Sequence, residues 1–278
     1  MRTLTMPALA RSAAGLEAWR RRLLIALVLS YVGILIIAPL AALVHGALAE
    51  GVGRIITALG DPDVLHSFWL TLQISLIVVL VHVVFGTLTA WVLVRDRFPG
   101  CRLLNALVDM PFAVSPVVVG YMLLLLFGRS GLLAPLLTAL NLQVAFAWPG
   151  LVLATLFVTL PFMVRELVPV LRAFGVKQEQ AAATLGASGW QTFWLVTFPA
   201  LRWGFVYGII LTFARALGEF GAVLVIGGGI QGRTDTATVF IFHALEERQT
   251  IGAYSAALVL GLFSLLLVVG TDLLRRRE

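Results

Sequence analysis

Charge is scarce in this chain. Of its 278 residues only 12% are charged, with Lys177 the only lysine and Cys101 the only cysteine. Soluble domains carry about 25% charged residues, so water is not the main solvent here. A single cysteine excludes a disulfide framework. The basic balance, 20 Lys and Arg against 14 Asp and Glu, comes from arginines scattered along the chain. A nucleic-acid face would cluster them, so no nucleic-acid partner is expected. No Gly-x4-Gly-Lys phosphate loop occurs, and any ATP hydrolysis belongs to another chain. His45, His66, His82 and His243 are far apart and lack His-Glu-x-x-His spacing, which gives no metal site. Nothing points to a catalytic residue or a cofactor. His82, alone in an apolar run, reads as a hydrogen-bonded packing residue.

What the chain has is apolar length. It is 60% hydrophobic with a mean hydropathy of +1.00, which excludes disorder because so much apolar surface would collapse. A spanning helix needs about 20 mostly apolar residues. Six segments qualify, at about 23–44, 68–94, 106–127, 145–164, 203–226 and 251–274. The chain is thus predicted to be an all-α, polytopic membrane protein. It has an N-terminal tail over 1–22 and a short C-terminal tail over 275–278. The segment 132–140 contains Pro135 and reads as a short interfacial piece. Residues 23–44 are too long for a cleaved signal peptide and lack a clean small-residue cleavage site, so they read as a true span.

Lys and Arg divide unevenly between the two sides of such a bundle. Arg2, Arg11, Arg20, Arg21, Arg22, Arg95, Arg97, Arg102, Arg165, Arg172, Lys177, Arg202, Arg275, Arg276 and Arg277 fall on one side. Arg54, Arg129, Arg233 and Arg248 fall on the other. The excess marks the cytoplasmic face and predicts that both termini are cytoplasmic.

Pro39, Pro111, Pro116, Pro149 and Pro161 sit inside apolar runs. In a membrane bundle, neighbours can satisfy the carbonyls that they free, and each reads as a packing kink. Arg215 and Glu219 lie four apart within the fifth run, one helical turn on the same face. A buried ionisable group costs at least about 2.5–3.5 kcal/mol on insertion scales, so the two are predicted to neutralise each other. An alternative is that Arg215 attracts an anion in the translocation path. Asp109, just before Pro111, reads as a helix cap. Gly227, Gly228, Gly229 and Gly232 read as a flexible loop, or as an anion nest of backbone amides.

The segment 165–202 is too long for a turn. Its alanine-rich first half favours helix, and Gly186 and Gly189 break it into helix, turn and helix. Trp190, Phe193, Trp194 and Phe198 share one face of the second half. That face needs the membrane surface, the end of the bundle, or a docked protein as its partner. Gly186 must turn the chain, at a predicted positive φ.

The spacing Gln180-Ala181-Ala182, Gly186, Val196 and Phe198-Pro199 resembles the EAA loop of bacterial binding-protein-dependent ABC importers. In that family the pattern is Glu-Ala-Ala, three residues, Gly, nine residues, Ile, one residue, Leu-Pro. Gln180 stands where the family has glutamate. Glu179 lies one residue earlier, about 100° round a helix. A second stretch, Ala214-Arg-Ala-Leu-Gly-Glu-Phe-Gly-Ala222, followed by Gly232-Arg-Thr-Asp-Thr236, is similar to sulfate and molybdate importer permeases; the long first run, Trp190-Gln-Thr-Phe-Trp194 and the fifth-run sequence most resemble the CysW-type subunit of sulfate/thiosulfate importers.

The resemblance implies a type I ABC importer transmembrane domain (MetI-like) in the bacterial inner membrane. It implies a heterodimer with a second, related permease subunit, two ATPase subunits that bind ATP and Mg, and a periplasmic sulfate-binding protein. It makes Gln180, Ala181, Ala182, Gly186, Trp190, Phe193 and Pro199 the ATPase-coupling residues. Molybdate or tungstate is the alternative cargo. Two rivals are weaker. Gly186-Ala-Ser-Gly189 matches an intramembrane-protease motif, but Ser188 falls in a hydrophilic loop and no histidine lies in the last two runs. A proton-coupled carrier would suit the buried charges but leaves 165–202 unexplained.

Overall fold

The computed structural model describes residues 7–275, and among the described residues every regular element is helical. In chain order these are α1 (Pro7–Leu48), α2 (Val52–Leu59), α3 (Pro62–Arg95), α4 (Cys101–Ala113), α5 (Pro116–Phe127), α6 (Ala134–Ala139) and α7 (Trp148–Phe174). Then follow α8 (Lys177–Thr184), α9 (Gly189–Thr192), a π turn (Phe193–Thr197), α10 (Phe198–Leu217), α11 (Gly221–Gly227), α12 (Ala237–Glu246) and α13 (Thr250–Arg275). Arg2, Arg276 and Arg277 of the two basic tails lie outside the described residues, and 7–22 are helix continuous with the first apolar run.

Among the described residues, five stretches are long and apolar enough to cross a bilayer: Trp19–Leu48, Pro62–Arg95, Trp148–Phe174, Gly189–Leu217 and Thr250–Thr271. The sixth, expected as one helix over 106–127, is instead the pair α4 and α5, bent by 113°. The cause is Pro116. Its ring disfavours helical geometry at the preceding residue, and Ser115 is extended at φ −59°, ψ 136°. Pro116 then starts α5 at a position that needs no N–H donor. Pro111, by contrast, stays within α4.

The fifth run also departs from 203–226. Its helix begins at Gly189, continuous with the aromatic segment, and stops at Leu217, and a separate short helix follows from Gly221. The π turn ends at Thr197, two residues before Pro199. Proline's missing N–H and its ring disturb the regular ladder there, and a wider turn accommodates it.

The core forms two clusters stacked along α3 and α7. One joins the first halves of these helices, through Leu70, Ile74, Val78 and Leu151, to α5, α11 and α12. The other joins their second halves, through Ala90, Leu93, Val164 and Leu167, to α4 and the start of α10. So α3 and α7 run parallel and α10 runs against them. Met163, fully buried, seats α7 between Gly86 of α3 and Gly208 of α10, where any added Cβ would lie within 3 Å of its side chain. The 18-residue apolar window of α1 buries nothing against this chain.

Candidate functional site

At the end of the bundle where α3 and α7 finish, α7 continues past its expected limit to Phe174. Gly175, at φ +70°, then turns the chain into α8. Gly186, at φ +87° with nothing near its Cβ position, makes the second turn. Ser188 then caps α9. Its hydroxyl accepts the Gln191 N–H, and the Gln191 side chain accepts the Ser188 N–H at 2.8 Å. This reciprocal cap gives Ser188 a structural role. The rings of Trp190, Phe193, Trp194 and Phe198 pack on one another with centroids 5.0–6.4 Å apart. Phe193 turns inward onto Trp91 of α3. Trp190 is 72% exposed, Leu195 74% and Leu185 88%. Gln180, Ala181, Gly186 and Pro199 are exposed and Ala182 is half-buried. These bare apolar side chains lie at the end of the bundle and find no cover within this chain. Glu179 turns the other way, to Arg95 and Thr197.

The second candidate region is the elbow between α4 and α5. A cavity of about 420 Å³ opens there, lined by Val114, Ser115, Pro116, Phe162 and Arg215. Arg215 lies in the last turn of α10, not deep within an unbroken span. Its guanidinium is 2.8 Å from Glu219 Oε2, with side chains 30% and 2% exposed. The pair forms although the helix ends between the two residues. Glu219 does more than neutralise: its Oε1 accepts the Ala222 N–H at 3.0 Å, which holds the start of α11, and its carbonyl accepts the Thr238 hydroxyl of α12. Glu219 therefore ties three helices together, while the part-exposed Arg215 side chain lines the cavity.

Asp109 is not a helix cap. It lies inside α4, and Arg165 of α7 donates Nε to its Oδ1 at 2.7 Å and Nη1 to Asn105 Oδ1 at 3.0 Å. A guanidinium fork matches two acceptors one turn apart. His82 is buried, with Nε2 against Leu156 O and the Thr159 hydroxyl. The glycine loop is packed at Gly228 and Gly229, where side chains of Phe146 and His243 stand within 3 Å of the Cβ positions, and open at Gly232.

At the opposite end of the bundle, a cavity of about 400 Å³ is lined by Asp61, Asp63, Asp235, His243 and Glu247. Burial pushes the Asp235 carboxyl up from 3.8 to about 6. Asp63 and Glu247 add to this, and His243 and His66 oppose it. The pairs Arg95–Glu179, Arg165–Asp109 and Asp235–His243 all went unread in the sequence. The first two join residues 84 and 56 apart, and Asp235 and His243 are eight apart across the start of α12, so none carries a helical i, i+4 spacing signal.

Residues 82–277 match the model of the family described as binding-protein-dependent transport system inner membrane component. The chain is 46% identical, over 96% of its length and 94% of the relative's, to the sulfate transport system permease protein CysW of Synechococcus elongatus. It is 44% identical to the protein of that name in Escherichia coli K12, over 93% and 89% of the two lengths. The CysT permease of that organism is 37% identical, over 90% of each. Among solved structures, a chain of a bacterial alginate ABC transporter bound to a periplasmic protein matches with a TM-score of 0.72 at 16% identity, covering 94% of this chain and 96% of that one. This last likeness concerns the fold alone. The chain belongs to the family of binding-protein-dependent transport system inner membrane components, and is a multi-pass permease subunit of the ABC importer type.

Proposed function

We propose that this chain is the permease subunit of an ATP-driven sulfate/thiosulfate importer, paired with a second, related permease subunit. The observation that carries the reading is the near full-length similarity to permeases named for sulfate transport. Both termini are cytoplasmic, so the platform of α8, α9 and the π turn faces the cytoplasm and the cavity around Asp235 faces the periplasm. A periplasmic sulfate-binding protein delivers the anion there. Two ATPase subunits, which hold ATP and Mg, receive the platform in a cleft that covers Trp190 and Leu185.

This chain does no covalent chemistry. Closure of the ATPases moves the platform and, with it, the ends of α3, α7 and α10. The elbow at Ser115 lets α4 and α5 shift as separate arms, so the bundle exposes its path to one side at a time. Arg215, part-exposed at the elbow cavity, supplies positive charge to a passing divalent oxyanion without binding it permanently, because Glu219 holds most of that charge. Transport follows from a difference in anion affinity between the two states.

Uptake of labelled sulfate in cells that lack this chain, and in cells with it restored, tests the reading. Restored uptake should be inhibited by excess unlabelled sulfate and thiosulfate. Uptake inhibited instead by molybdate alone would assign the larger tetrahedral anion.

A further inference from the structure

The helix α8 is joined to its neighbours at both ends by glycines of positive φ, Gly175 at +70° and Gly186 at +87°, each with open space around it. None of the α8 residues is buried. Its packing is against α9 and the π turn, the first residues of the long helix of the fifth run. A short helix between two such joints would pivot freely, and a push on it would be absorbed by the joints.

Beside that packing, one side chain ties α8 to the core. Glu179 Oε1 accepts from Arg95 Nη2 at 2.9 Å and from the Thr197 hydroxyl at 2.9 Å. The Arg95 and Glu179 side chains are only 10% and 16% exposed, and Thr197 is fully buried. Arg95 is the last residue of α3 and also lies over the ring of Trp91, 5.6 Å from its centroid. Thr197 closes the π turn that runs into α10. One carboxylate oxygen thus fastens α8 to the ends of two core helices. Ion pairs this far from water give little net stability against apolar substitutes, but they fix geometry when both partners are present.

We propose that Glu179 is a positioning residue for transport: through Arg95 and Thr197 it transmits the movement of α8 to α3 and α10. The inference rests on the reading of this platform as the ATPase contact. Gln180, at the family's glutamate position, faces solvent and is free for that contact; Glu179 faces the bundle and works behind it.

The test uses the whole importer in proteoliposomes, with labelled sulfate and loaded binding protein. Three quantities are read: ATPase copurified, ATP hydrolysed and sulfate moved per ATP. With Glu179→Ala the ATPase should copurify at the unmodified ratio and hydrolysis should continue. Sulfate moved per ATP should fall about tenfold, within the range known for coupling residues. The exchange of Arg95→Glu with Glu179→Arg should recover most of it, which a general packing defect would not. If Glu179→Ala does not accumulate, Glu179→Gln is read in its place; it keeps the hydrogen-bonding shape without the charge and should lower the ratio several-fold. An unchanged ratio in the variant that accumulates overturns the proposal. So does loss of ATPase copurification, which would make Glu179 part of the docking contact itself. Failure of the unmodified chain to copurify any ATPase would instead refute the underlying reading of the platform.

Discussion

The guanidinium of Arg215 lies 2.8 Å from the Glu219 carboxylate, across the point where the fifth apolar run stops being a helix. Removing the arginine strands a glutamate that is 2% exposed, a loss of about 3–5 kcal/mol for a buried pair. Arg215→Ala should therefore lower membrane abundance. Arg215→Ala combined with Glu219→Gln should restore abundance, because glutamine can still accept the Ala222 N–H and no charge is stranded. Sulfate uptake should stay low in the double variant, since the cavity has lost its cation. Western-blot abundance beside uptake separates the two roles. Full uptake by the double variant would leave Arg215 a purely structural residue.

The orientation can be checked with single cysteines in a Cys101→Ser background. Leu185 and Gly189 are exposed positions on the platform, and Leu132 and Gly53 are exposed at the opposite end. In intact cells a membrane-impermeant thiol reagent should label cysteine at Leu132 and Gly53 and spare Leu185 and Gly189. The reverse pattern would invert the topology.

Gly186 has room for a side chain but the wrong backbone angle for one, at φ +87°. The left-handed region costs an ordinary L residue roughly 1–2 kcal/mol, more when the side chain is β-branched. Gly186→Val should leave the chain in the membrane and misdirect α9, so that the ATPase no longer copurifies and uptake is lost. Gly186→Asn, which tolerates this region, should keep most of both. Equal behaviour of the two variants would remove the backbone explanation.

Much of this was legible from residue order. Hydrophobic length located the membrane-crossing segments, because a bilayer demands it. The turn at Gly186 could be read because only glycine adopts that angle cheaply, and the Arg215–Glu219 pair because a lone charge in an apolar run needs a near neighbour. The elbow was less legible. An apolar run from 106 to 127 reads as continuous, and nothing local tells whether Pro116 kinks a helix, as Pro161 does not break α7, or starts a new one. The outcome depends on α5 having α11 to pack against. Glu179 and Arg95 are 84 residues apart and Asp109 and Arg165 are 56 apart. Such pairs are set by how α3, α4 and α7 lie together, which periodicity does not encode. Asp109 read as a cap for that reason.

The raised Asp235 carboxyl has a measurable consequence. Its folded-state value, about 6, lies above its ordinary 3.8, so the folded chain holds this proton more tightly than the unfolded one. The group's contribution is most favourable below about pH 4 and is lost as pH rises toward 6. His243, His66, Asp63 and Glu247 face it and set the remaining field. Asp235→Asn should raise the thermal midpoint of the detergent-solubilised protein at pH 7.5. It should also flatten the pH dependence between 4 and 6. A lower midpoint at pH 7.5 would show that the His243 contact, at 3.5 Å, outweighs burial.

The most direct test of the whole account is the energy source. The chain should be reconstituted with its partner permease and ATPase in vesicles, with sulfate-loaded binding protein outside the face that carries Asp235. Labelled sulfate should accumulate only when ATP and Mg are present on the platform side, and collapse of any proton gradient should leave the rate unchanged. Accumulation driven by a proton gradient without ATP would contradict an importer powered through this platform.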